Sequence, residues 1–178
     1  MPSLRNIFLY ISVLAALMAM AACSRPQATP AVANETTLYV NADLGFAIEH
    51  PQDWRHGVQT QPAGSAGRLR WVSTKKPTAA SLEVTVLTPP QSDSGCDQIL
   101  QDFLGEHPDL TVTDRKPLQL AGSDAEKLEG HTAGQTFEVI TVATAKRAFI
   151  LALAAPTTAF PAHQDLFDKI VDSFRILP

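Results

Sequence analysis

The stretch TFEVITVATAKRAFILALAAP, Thr136–Pro156, decides the fold. It reads as two strands joined across Ala145-Lys146-Arg147, a hairpin. Its second arm contains FILALAA, Phe149–Ala155, which is apolar at every position. Side chains alternate between the two faces of a strand, so this arm is apolar on both faces. That suits a central strand covered from both sides.

Further strands surround it. GRLRWVST, Gly67–Thr74, alternates, with Leu69 and Trp71 on one face and Arg68, Arg70 and Val72 on the other. SLEVTVLT puts Leu82, Val84 and Val86 on one side and is stopped by Pro89-Pro90. LTVTDRKPLQL and DAEKLEGHT are strands before the hairpin, and LYVNADLGFAIEHP offers two short ones around the turn Asp43-Leu44-Gly45. Two segments have helical spacing instead. Asp93 or Ser94 caps the first, its stripe is Ile99, Leu100, Phe103 and Leu104, and His107-Pro108 ends it. The second has Pro161 near its start and a stripe of Leu166, Phe167, Ile170, Val171 and Phe174. Consecutive strands with helices set apart from them predict an α+β domain built on a mainly antiparallel sheet flanked by helices.

The 178 residues leave room for one such domain, because the amino-terminal end reads differently. Ile7–Ala22 is a run of 16 residues that is apolar apart from Ser12. As a helix it would span about 24 Å, short of a hydrocarbon core of roughly 30 Å. Arg5 in front and Ala21-Ala22 behind give it the layout of an export signal. The run stops at Cys23. Met20-Ala21-Ala22-Cys23 resembles the bacterial lipobox, with Met20 where that motif usually has Leu. The resemblance implies a thioether-linked diacylglyceryl group on Cys23, cleavage before it, and usually acylation of the new amine. At about 0.8 kcal/mol per buried CH₂, two or more chains hold a protein stably on a bilayer. The alternative is an ordinary cleaved signal with an incidental cysteine. Ser24 occupies the place where Asp would suggest inner-membrane retention, so the periplasmic face of the outer membrane is the expected location.

The expected organisation is a signal over 1–22, a lipidated cysteine and tether over 23–36, and a folded domain over 37–178. Ser24–Thr36 has two prolines, three alanines and no large aromatic residue, so it cannot build a core. Fully extended, its 13 residues reach about 43 Å.

YVNADLGFAIEHPQDW, Tyr39–Trp54, resembles the opening of PsbP-like domains, in which a Gly-Phe strand leads to a Pro-x-x-Trp corner. Those positions are Gly45-Phe46, Pro51 and Trp54 here. The close is similar too: FILALAAPTTAF, a helix, and DSFRIL. The resemblance implies an α/β/α sandwich and a non-enzymatic accessory role, with no catalytic residues to carry over.

Composition narrows the function. Removing residues 1–22 takes away Arg5 and no acid, so the net charge of −4 becomes −5. The basic residues are scattered in pairs, which speaks against nucleic acid as a partner. All three methionines lie in the leader, which excludes a methionine-rich groove.

The densest cluster of candidate ligands is HPQDWRH, His50–His56, read as a loop between strands. His50, Asp53 and His56 are weak candidates for Zn²⁺ or Mn²⁺; their spacing matches no established motif. The competing reading packs Trp54 on the sheet edge and leaves the polar residues in water. Cys96 reads as a small apolar group, not a nucleophile. Ser65, Ser94 and Ser123 occupy turn or cap contexts without a Gly-x-Ser-x-Gly elbow. Asp165, Asp168 and Asp172 read as a solvated helix face.

The sequence supports two functions. The first is a lipid-anchored envelope accessory or binding protein without catalysis or cofactor, with membrane lipid and a protein or small ligand as partners. The second is a small envelope hydrolase or metal-dependent enzyme whose site assembles from dispersed residues.

Overall fold

The computed structural model of the chain describes residues 35–58, 65–75, 79–87 and 95–178. The expected leader, Cys23, nearly all of the expected tether and the expected cap at Asp93 or Ser94 lie outside them. Among the described residues ten strands and two helices are formed: β1 Thr36–Asn41, β2 Phe46–Pro51, β3 Trp54–Val58, β4 Ser65–Ser73, β5 Ser81–Leu87, α1 Gly95–Glu106, β6 Thr111–Leu120, β7 Ser123–His131, β8 Gln135–Ala143, β9 Ala148–Pro156, α2 Phe160–Ser173 and β10 Arg175–Ile176.

Seven strands make one sheet in the order β3-β4-β5-β9-β8-β7-β6, and every neighbouring pair is antiparallel. The apolar strand β9 is the middle one, as its composition demands. Phe149, Leu151 and Leu153 point to one face, and all three are fully buried. Each such side chain contributes roughly 1.5–3 kcal/mol by leaving water.

That face joins Trp71, Leu82, Val84 and Ile140 to Phe46 and Ile48 of β2 and to the stripe Leu166, Phe167, Ile170, Val171 and Phe174. On the opposite face Ala148 and Ile150 of β9 meet Leu128, Val139 and the α1 stripe Ile99, Leu100 and Phe103. The two helices therefore cover opposite faces of one sheet. The smaller sheet, ordered β1-β2-β10, belongs to the α2 side.

Local chemistry sets the connections. Leu120 pairs with Ser123, leaving Ala121 and Gly122 as a two-residue hairpin turn. Both have positive φ, 51° and 78°, the geometry that matches the twist of the flanking strands. In the β8–β9 turn the Thr144 N–H donates to the Arg147 carbonyl at 2.8 Å, and Thr144 Oγ1 accepts the Arg147 N–H at 3.1 Å. α2 begins with Pro161 in its first turn, where a missing N–H costs nothing.

The segment expected as a loop differs. Glu49, His50 and Pro51 end β2, only Gln52 and Asp53 turn, and Trp54–Val58 is a strand paired with β4. Trp54 is buried in the main core, so a single inward aromatic residue holds this strand to the sheet edge. Its brevity, and Gly57 within it, conceal it from periodicity.

Candidate functional site

The structure brings His50 and His56 together but not around a metal. Tyr39 of β1, His50 of β2, and His56 and Trp71 of the large sheet form one aromatic group. His56 pairs directly across from Trp71. Ring centroids lie 5.3 Å apart for His50–Trp71, 5.1 Å for His56–Trp71 and 5.2 Å for Tyr39–Trp71. Burial lowers the pKa of His50, partly offset by its hydrogen bond to the Pro51 carbonyl at 3.0 Å; a charged His56 nearby lowers it further. Asp53 is held elsewhere by an ion pair with Lys75 at 3.0 Å. Among the described residues no group of three His, Cys, Asp or Glu side chains is arranged to hold a metal ion.

The other candidates are dispersed. Cys96 is half-buried on α1 and its thiol donates to the Thr141 carbonyl at 3.6 Å. His163 is buried on α2 and stacked on Phe167, while His131 is exposed at the end of β7. Ser65 opens β4 and Ser123 opens β7. Asp165, Asp168 and Asp172 lie on the exposed side of α2.

A more organised group lies on the α1 face of the sheet, beside the carboxy-terminal end of α1. A 12-residue helix spans about 18 Å and covers only part of seven strands. Beside it lies a polar cleft of about 280 Å³. Its floor is made of short side chains, Ser81, Ala152 and Ala154, on two adjacent central strands. Arg70 and Glu83, paired across β4 and β5, form one wall. Phe103 and His107 form the other, their rings stacked with centroids 4.3 Å apart. His107 Nδ1 is 2.9 Å from the Phe103 carbonyl oxygen; donation there leaves Nε2 as an acceptor.

The charges of the two walls are not equally satisfied. Glu83 is engaged by Arg68 at 3.3 Å, and Arg68 also reaches Glu106 at 2.7 Å. Arg70, one turn of the pleat away, has no ion pair among the described residues, and its Nε is buried without a hydrogen-bond partner. A buried donor left unpaired costs about 1–3 kcal/mol, which a ligand acceptor would recover. The cleft offers a planar cation, the carboxylates of Glu83 and Asp109, a ring nitrogen acceptor and an aromatic wall, a set suited to holding a small polar group, free or on the surface of a partner.

Alternation places Arg70 and Glu83 on the face away from Trp71, but does not reveal that this face is partly roofed. The only sequence signal is the run of alanines in β9, which marks where the sheet surface is low.

No family model matches the chain, and a search of curated proteins gives no match. Solved structures do match. The cyanobacterial PsbP, CyanoP, from Synechocystis superposes with a TM-score of 0.64 at 11% identity, over 88% of this chain and 99% of that one. LpqN of Mycobacterium tuberculosis, described as involved in cell envelope biogenesis, gives a TM-score of 0.52 at 17% identity, over 81% of this chain and 91% of that one. The chain thus has the PsbP-like fold, a mainly antiparallel sheet flanked by helices.

Proposed function

We propose that this protein is a lipid-anchored, non-catalytic binding module of the bacterial cell envelope, facing the periplasm from the outer membrane. The observation that carries the binding role is the cleft beside α1, where the buried Nε of Arg70 has no partner of its own. Anchoring rests on the junction Met20-Ala21-Ala22-Cys23 behind the apolar run Ile7–Ala22. The envelope role described for LpqN, a protein of similar fold, supports the location. Among the described residues no helix is long and apolar enough to cross a membrane.

Two measurements test this. Mass spectrometry of the protein from native cells should find the chain beginning at Cys23 with a diacylglyceryl group on its sulfur; a bare Cys23 or an uncleaved leader overturns the anchor. Pull-down from solubilised envelopes should recover a partner that Arg70→Ala loses while the variant melts like the parent. Recovery unaffected by that substitution overturns the cleft as the binding site.

A further inference from the structure

The Ala121–Gly122 turn, the β8–β9 turn and the segment Ile176–Pro178 line an open cavity of about 730 Å³. Its lining includes two adjacent cations, Lys146 and Arg147, no Asp or Glu side chain, and Pro178, whose terminal carboxylate makes no ion pair with either. In a chain of net charge −4 this is a local reversal of sign. Neither cation has an ion-pair partner among the described residues.

The position of Arg147 is built into the fold. Its guanidinium lies against Gly45, so closely that a Cβ at that residue would overlap Nη1. Gly45 has a φ of 72°, and its carbonyl accepts the Leu177 N–H at 2.9 Å. The same glycine therefore seats the cation and fixes the segment that forms the opposite wall. The Thr144 hydrogen bonds hold the backbone of Arg147 from the other side.

That opposite wall is apolar. Ile176 and Leu177 are half-buried, and Ala121 and Ala145 complete the greasy part of the lining. An inorganic anion would satisfy the cations but fill little of a cavity in the roughly 300–1,000 Å³ range of small-molecule sites. A neutral hydrocarbon would fill it but would leave the two cations without a counter-charge. Only a molecule with both parts satisfies both walls.

We propose that this cavity binds a single-chain amphiphilic anion. Arg147 and Lys146 hold its phosphate or carboxylate, and Ile176, Leu177, Ala121 and Ala145 receive its alkyl portion. This stands whether or not Cys23 is acylated.

The test is photolabelling of the full chain in neutral phosphatidylcholine vesicles with a dodecyl phosphate that carries a diazirine on its alkyl chain. Peptide mapping should place the adduct within 121–123, 144–147 or 176–178. Labelling should fall on the order of tenfold in the Lys146→Gln/Arg147→Gln double variant, as expected for loss of two charge-assisted contacts. The melting temperature of that variant should match the parent, since neither side chain is fully buried. A diazirine dodecyl maltoside should label these peptides weakly. Equal labelling by the neutral probe, adducts outside these segments, or unchanged labelling of the double variant would each overturn the proposal. So would full displacement by millimolar inorganic phosphate, because the alkyl portion would then contribute nothing.

Discussion

Gly45 and Gly57 are both strand-associated glycines with opposite demands. Gly45 sits at φ 72° beneath Arg147, whereas the space around Gly57 is open. Gly45→Ala should therefore cost about 1–2 kcal/mol through left-handed strain, more if Arg147 cannot move aside. Gly57→Ala should stabilise by about 0.4–1 kcal/mol by restricting the unfolded chain. Urea titration of both variants checks the contrast.

Lys127 and Glu138 pair at 2.6 Å between β7 and β8, with side chains 13% and 2% exposed. Burial opposes the charge on Lys127, but its hydrogen bond and attraction to Glu138, helped by Glu129 at 3.2 Å, outweigh it and raise its pKa. Lys127→Met would leave Glu138 buried and uncompensated, and should cost about 3–5 kcal/mol. Lys127→Met/Glu138→Leu should recover most of that loss. Because the folded pKa is raised, the pair's contribution is complete below the unfolded value of 10.5 and is lost as pH rises through the folded one. The double variant should then lose less stability than the parent in that alkaline window, a difference that chemical unfolding at each pH would reveal. His50 has the opposite sign. Its folded pKa is lowered, so the unfolded chain takes up the proton first, and stability declines as pH falls below about 6.5. His50→Gln should flatten that part of the thermal-midpoint profile, while a slope identical to the parent's would show that His50 is not responsible.

Among the elements, the edge strands differ in how they are protected. β6 closes one end of the large sheet and is exposed along most of its length. It carries Asp114, Arg115 and Lys116, has Pro117 within its run, and breaks register between Val112 and Asp114. Charge, proline and a bulge all discourage pairing with another chain. Arg115 also ties β6 to Glu126 of β7 and to Asp97 of α1. β1 lacks these devices: Leu38 and Val40 point outward at 59% and 57% exposure on an edge of the small sheet. Leu38→Lys should leave stability within about 0.5 kcal/mol of the parent and reduce self-association at high concentration. Sedimentation at several concentrations would register this, and unchanged association would clear β1 as an adhesive edge.

At the scale of the molecule, β9 couples two cores. Its odd-numbered apolar residues Phe149, Leu151 and Leu153 belong to the α2 side, and Ala148 and Ile150 to the α1 side. Neither side can lose its packing without uncovering the other face of the same strand. Leu153→Ala on one side and Leu100→Ala on the other should each lower stability by about 2–5 kcal/mol. In both variants near- and far-ultraviolet dichroism should still report one coincident transition. Separate transitions after Leu100→Ala would mean that α1 and its side unfold independently.

The sequence alone was sufficient for the strands with clean alternation, the two helical stripes, the turn at Gly45, and the central place of Phe149–Ala155. These are local matters: period, proline, glycine and side-chain volume act within a few residues and leave their mark at fixed spacing. β3 escaped because five residues around one buried Trp54 carry too little pattern. Beyond the alanines of β9, neither the cleft nor the cavity was legible. Arg70 and His107 come from strands and a helix end far apart in the chain, as do Gly45, Arg147 and Leu177. Their meeting depends on the order in which strands enter the sheet and on how far a short helix reaches across it. Only the folded chain decides that, because pairing and packing join residues whose separation in sequence carries no signal.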